Sequence, residues 1–244
     1  MWRGTEAVLR EAGFEPVPVA WEPEKGMGVQ ESADRVLFPA IRDALTARGR
    51  PAETPFHAVG HSTGGLLVRW LAEQTESPGA REQVRSVALL STPNQGARTG
   101  VARIACQSFR QPWRSLACDL IPGSVALRTL GTKAAGDMPY LTVGVETLPN
   151  LLPVPFFDGD GDGVAHSHDN AVMAESAWLD GATFRIWRGR KNRSHFTVSC
   201  SSTVNDWLVA FLRGEALPEQ ATGRQPSEDL CRGGRHPNPA SPVN

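Results

Sequence analysis

A serine, a group of aspartates and a histidine follow one another along this chain in an order that suits covalent hydrolysis. Ser62 lies in a G-x-S-x-G pattern over residues 60–64, between two apolar-rich runs. A serine hydroxyl is a poor nucleophile at neutral pH unless a histidine takes its proton and a carboxylate orients that histidine. His195 stands late in the chain, ahead of an amphipathic segment, and is the candidate base.

The candidate acids lie between the serine and the histidine. Asp162 is preferred, followed by Asp160 and Asp158, because its Asp-Gly-Val step suits a carboxylate at a tight turn beside a buried strand end. The same three aspartates and Asp169 match the spacing of a calcium-binding loop. Such a loop needs a helix on each side, and the proline-containing stretch 150–157 does not predict one. We therefore expect no cofactor, with calcium as the alternative.

Strands and helices must position these groups. The apolar patterns predict helices over 4–12, 32–48, 66–76 and 203–213, and strands over 14–21, 56–61, 84–91, 140–146 and 183–187. Their alternation predicts an α/β fold with a mostly parallel sheet covered by helices on both faces. Pro16 and Pro18 place the 14–21 segment near a sheet edge or in an irregular stretch. Ser62, the aspartates and His195 each follow a strand.

One domain over residues 1–213 accounts for this pattern. Residues 97–137 interrupt the alternation with an amphipathic insertion, which is either a cap or lid over the site or an ordinary connection packed on the sheet. The stretch 214–244 is rich in Pro, Gly, Arg and Ser, and we expect it to be a disordered tail.

Composition limits the range of partners. The 244 residues carry a formal net charge of −1, which argues against a nucleic-acid partner. No apolar run reaches the ~20 residues that span a bilayer, so no transmembrane segment is expected. Of the four cysteines, Cys106 and Cys118 either close a short loop or remain free thiols. The compartment and the oligomeric state stay open.

Several motifs together resemble the α/β-hydrolase superfamily, in particular the bacterial triacylglycerol lipase and esterase group, with a weaker likeness to lecithin:cholesterol acyltransferase-like enzymes. The matching segments are residues 57–66, 90–96, 119–124, 161–164 and 194–196. The resemblance implies hydrolysis of an acyl ester or lipid through an acyl-enzyme. Ser62 then corresponds to the nucleophile, Asp162 to the acid and His195 to the base, and the backbone N–H of Thr63 corresponds to an oxyanion donor.

The chain departs from this group at its start. Related enzymes place a central strand before the first helix, and the turn after that strand supplies the second oxyanion donor. Here the first predicted helix follows Met1 almost directly, so the fold is expected to lack its N-terminal strands. We expect the natural protein to begin upstream. The alternatives are a non-catalytic or impaired hydrolase-like domain, or an acyltransferase of the same fold.

Overall fold

A parallel sheet forms the centre of the protein. The computed structural model describes residues 2–22, 26–97, 100–107, 114–136, 138–147, 174–189, 195 and 197–219. Its four strands are β1 (Phe56–His61), β2 (Val84–Leu90), β3 (Tyr140–Thr147) and β4 (Thr183–Gly189). They lie in the order β1-β2-β3-β4, and each neighbouring pair is parallel. The predicted α/β class is confirmed, and so are four of the five expected strands.

Helices connect and cover these strands. They are α1 (Arg3–Glu11), α2 (Val29–Glu31), α3 (Phe38–Thr46), α4 (Thr63–Glu73), α5 (Ala80–Gln83), α6 (Gly100–Gln107), α7 (Arg114–Asp119), α8 (Val125–Leu130) and α9 (Ser202–Arg213). A π-helical stretch, Ser32–Leu37, joins α2 to α3, so the helix expected over 32–48 begins at Val29 and ends at Thr46. The helix expected over 66–76 begins at Thr63, directly after the candidate nucleophile. No described helix combines the length and apolar character that a bilayer crossing requires.

Both faces of β2 are buried, which explains the continuous apolar run at its end. Val87 and Leu89 belong to the core cluster shared with α4, whereas Ala88 and Leu90 belong to the cluster shared with α1 and α9. All four side chains are fully buried. Successive residues of a strand point to opposite faces, so a strand covered on both sides needs apolar residues at every position.

The extended strand predicted over 14–21 is not formed, so this prediction is wrong. Residues 14–22 have no regular secondary structure, in agreement with the irregular alternative. Pro16 and Pro18 lack the backbone N–H that a ladder needs. Among the described residues, no backbone hydrogen bond joins this segment to β1.

β1 is therefore an edge strand of the described sheet. The Ser62 N–H donates to the Leu90 carbonyl at 3.0 Å, which fixes the alternation of the β1–β2 ladder. Even-numbered residues of β1 turn their backbone groups toward β2, so the backbone N–H and C=O groups of His57 and Val59 point to the open side.

The 97–137 insertion contains α6, α7 and α8. A disulfide bond between Cys106 and Cys118 joins α6 to α7, with Cα atoms 4.6 Å apart. Cys200 is also disulfide-bonded. The bonded alternative for Cys106 and Cys118 is thus the one that the structure contains. Most of the expected tail, residues 220–244, lies outside the described residues.

Candidate active site

Ser62 occupies a sharp turn between β1 and α4. Its backbone angles are φ 53° and ψ −132°, a conformation that side-chain-bearing residues rarely adopt. The turn reverses the chain so that the serine follows the end of one element and directly precedes the next. This backbone is the strained strand-turn-helix geometry that the G-x-S-x-G pattern predicts.

Two positions at the turn require glycine, because other groups approach their Cα atoms too closely for a Cβ atom. A Cβ atom on Gly60 would lie 2.5 Å from the Gly65 Cα, and one on Gly65 would lie 1.9 Å from the Thr92 Oγ1. Gly64 differs from both, since its Cβ would meet only the Trp21 indole nitrogen at an ordinary 3.6 Å. The backbones of β1 and α4 therefore pack directly against each other at this turn, and the Thr92 side chain packs against the α4 backbone at Gly65.

His195 is brought to the same end of the sheet. It is 4% exposed, and its backbone carbonyl lies 2.7 Å from the Nε2 atom of His61, the residue before Ser62. The rings of the two histidines have centroids 4.5 Å apart. These two contacts place His61 directly beside the candidate base.

The N-terminus of α4 lies next to the serine hydroxyl. Because Thr63 is the first residue of α4, its backbone N–H has no acceptor within the helix. The first intrahelical contact after the turn runs from the Gly65 N–H to the Ser62 carbonyl at 3.0 Å. A helix N-terminus carries partial positive charge, which suits a developing oxyanion.

A buried polar network supports the segment after β2. Arg69 is fully buried, forms an ion pair with Glu73 at 2.9 Å and donates to the Asn94 side-chain oxygen at 3.4 Å. The Asn94 amide in turn donates to the Ala177 carbonyl at 2.8 Å. The Tyr140 hydroxyl donates to Glu73, and burial with this carboxylate beside it raises the pKa of the tyrosine. The network ties α4 to β3 and to the loop that contains Thr92.

Ser91 is a second residue with a positive φ. Its φ is 48°, its side chain is buried, and its N–H donates to the Val143 carbonyl at 2.8 Å. It follows β2 at the position next to Ser62 in the sheet register, because His61 pairs with Leu90. Sequence reasoning missed Ser91 and Arg69. The only signal for them was their position beside the elbow and in the helix that follows it.

A cavity of about 970 Å³ runs along the open side of β1 and reaches Ser62 and Thr63. Its volume is in the range of small-molecule sites. Apolar side chains from four parts of the chain line it; they include Leu37, Ile41, Val68, Leu116, Leu120 and Leu212. Leu116 and Leu120 come from the 97–137 insertion, so this insertion contributes a wall of the cavity.

The candidate acids lie outside the described residues. Asp162, its alternatives Asp160 and Asp158, and the calcium alternative that adds Asp169 all fall within residues 148–173. These positions therefore remain predictions from the sequence. Within the described ranges, no group of three or more His, Cys, Asp or Glu side chains is placed to hold a metal ion.

The parallel sheet and the strained serine turn define an α/β-hydrolase fold. A similar solved structure is the mature form of the lipase BlEst2 from Bacillus licheniformis, with 19% identity, a TM-score of 0.52 and coverage of 73% of this chain and 71% of that chain. Phospholipase PlaB from Legionella pneumophila has 14% identity and a TM-score of 0.58, and the match covers 88% of this chain and 57% of that chain. This chain thus spans little more than half of PlaB. No protein-family model and no curated protein sequence matches it.

Proposed function

We propose that the chain is a serine carboxylic ester hydrolase that acts on acyl esters or lipids through Ser62, Asp162 and His195. The observation that carries the proposal is the backbone of Ser62, with φ 53° and ψ −132° between β1 and α4. A non-glycine residue is held in such a conformation only where the surrounding structure requires it, as at a nucleophile. The similarity in fold to a lipase and a phospholipase supports this reaction class.

The proposed reaction has two halves. His195 takes the proton of the Ser62 hydroxyl while the serine oxygen attacks the ester carbonyl carbon, and the backbone N–H of Thr63 donates to the resulting oxyanion. The intermediate collapses, the bond to the alcohol oxygen breaks, and His195 returns the proton to the leaving alcohol. Water then attacks the acyl-enzyme by the same route and releases the acid. Asp162 orients His195 in both halves, and no cofactor takes part.

The apolar cavity supports an acyl substrate. It reaches the elbow, and its lining from α3, α4, α7 and α9 is mainly aliphatic. Burial of an acyl chain there would contribute about 0.8 kcal/mol for each methylene group removed from water. We propose on this basis that the 97–137 insertion acts as a cap whose apolar side contacts the acyl group.

Active-site labelling and ester hydrolysis test the proposal. We expect a fluorophosphonate probe to label the wild-type chain at Ser62, and Ser62→Ala to abolish labelling and lower kcat on p-nitrophenyl esters by at least ~10³-fold. Ser77→Ala is the matched control, because this serine lies on the loop after α4 and does not line the cavity. Labelling that persists in Ser62→Ala would overturn the assignment of the nucleophile.

The same assay separates the alternatives. Transfer of the acyl group to an added alcohol, at a rate exceeding hydrolysis, would favour an acyltransferase. A folded wild-type chain that neither hydrolyses esters nor reacts with the probe would favour the non-catalytic domain. Repetition with calcium and with a chelator tests the Asp158–Asp169 alternative, and unchanged rates are expected.

A further inference from the structure

The hydrogen bond between His61 and His195 links the proposed nucleophile to the proposed base by a short path. We infer that His61 is a positioning residue that holds the backbone of His195 in register with Ser62. The inference rests on the proposed function, because it assigns to His61 the task of placing the base. This role requires no contact between His61 and substrate.

The direction of this hydrogen bond is set by its acceptor. The His195 carbonyl oxygen can only accept, so the proton lies on Nε2 of His61, with a separation of 2.7 Å. Both residues are buried, with exposed fractions of 8% for His61 and 4% for His195. A buried carbonyl without a donor is unfavourable, so the bond favours this one placement of the backbone at His195.

His61 directly precedes Ser62 in the chain, so the position of the His195 backbone relative to His61 matters for catalysis. His61 is the last residue of β1 and directly precedes Ser62, and its strand is held to β2 through the Ser62 N–H and the Leu90 carbonyl. One side chain therefore joins the strand that ends at the nucleophile to the backbone of the base. A shift of about 1 Å between such groups can lower a rate by about 10²-fold.

Ring packing is a separate contribution that the test must distinguish. The His61 ring lies at 49° to that of His195 and also contacts the Trp2 ring edge-on, with centroids 6.4 Å apart. A structural role for His61 would depend on this packing. A positioning role depends on a donor at the place of Nε2.

Two amide variants separate the two roles. Glutamine carries its amide nitrogen at about the distance of Nε2 from the backbone, whereas asparagine is one methylene shorter and falls short of the carbonyl. We expect His61→Gln to keep kcat within about threefold of wild type, and His61→Asn to lower kcat by about 10–10²-fold with little change in KM. His61→Phe keeps an aromatic ring without the donor and should follow the asparagine variant.

NMR of protein labelled with ¹⁵N in histidine gives a readout that does not depend on activity. In wild type we expect a protonated Nε2 signal from His61 that exchanges slowly with water. Both amide variants lose the ring current of His61, whose centroid lies 4.5 Å from that of His195, so the comparison is between the two variants. The His195 ring signals should move further from their wild-type positions in His61→Asn than in His61→Gln. Thermal melts confirm that each variant is folded.

The possible outcomes divide clearly. Equal kcat in the glutamine and asparagine variants, or identical His195 signals in the two, would overturn the positioning role. A wild-type chain without esterase activity would instead refute the proposed function. In that case the NMR comparison alone still decides whether His61 holds His195.

Discussion

Asp119 shows how one carboxylate joins distant parts of the molecule. It is the last residue of α7, and its Oδ2 atom accepts the Val29 N–H at the start of α2 at 2.7 Å. Burial raises the pKa of Asp119, the Val29 N–H bond opposes this rise, and the neighbouring Glu31 carboxylate adds to it. The charged form of Asp119 is therefore less favourable in the folded state than in the unfolded chain.

This shift has a definite sign in the pH dependence of stability. An acid with a raised folded-state pKa adds stability that is complete below its unfolded value of about 3.9 and is lost as the pH rises through the folded value. We expect the free energy of unfolding of wild type, minus that of Asp119→Asn, to increase as the pH falls from 7 to 4. Urea titrations at several pH values measure this difference. A difference that decreases on acidification would contradict the raised pKa.

Spacing and chain order predicted the turn at Ser62 and the proximity of His195, whereas the catalytic roles of both residues stay predictions. Ser62 stands in a motif between a strand and a helix, and His195 was expected near it from chain order; the structure confirms the turn and brings His195 to the same end of the sheet. The His61 contact and the Arg69 network depend on residues 134 and 25 positions away along the chain. No local pattern specifies such partners, because they result from tertiary packing.

At the scale of elements, the β1–α4 turn depends on two glycines and not on a third. Gly60 and Gly65 have no room for a Cβ atom, whereas Gly64 has ordinary contact distances and lies in the first turn of α4. The motif pattern names Gly60 and Gly64, so the sequence alone does not reveal which glycines are sterically required. The requirement comes from tertiary packing, because Gly60 meets the α4 backbone and Gly65 meets the Thr92 side chain.

We expect Gly65→Ala to destabilise the protein by about 1–3 kcal/mol through overpacking against Thr92. Gly64→Ala is the matched control, and its better helix propensity should leave stability unchanged or raised by up to about 1 kcal/mol. Thermal or urea unfolding checks both variants. Thr92→Ala removes the nearest clashing atom and should partly offset Gly65→Ala in a double-mutant cycle. Equal losses for the Gly64 and Gly65 variants would contradict the packing.

Element prediction was most accurate where burial is complete. β2 is covered on both faces and ends in a continuous apolar run, residues 87–90, and the sequence located all four strands. The 14–21 segment also has alternating apolar residues, yet Pro16 and Pro18 leave it without ladder donors and no strand forms. The early start of the second long helix at Val29 depends on Asp119, which lies 90 positions away along the chain.

At the scale of the whole molecule, the sheet has an open side along the strand that leads to the nucleophile. β1 pairs only with β2 in the described sheet, and the cavity beside it is lined by apolar groups from both layers. An edge strand with unpaired backbone groups in an apolar setting is a template for pairing between chains.

We therefore expect this chain to self-associate with rising concentration through β1. His57→Pro removes a backbone N–H from the open side, and His57→Ala is its matched control, because it removes the same imidazole but keeps the N–H. Light scattering after size-exclusion chromatography should show less association for the proline variant only. Equal association of both variants would exclude pairing at this edge.

The bond between Asp119 and Val29 also determines how the insertion can move. The disulfide makes α6 and α7 one covalently closed unit, and Asp119 at its end holds the first N–H of the helix that begins at Val29. Outward motion of the α6–α7 pair must therefore either break this hydrogen bond or carry the start of that helix with it. If substrate entry requires the α6–α7 pair to move, the Asp119–Val29 hydrogen bond controls that entry.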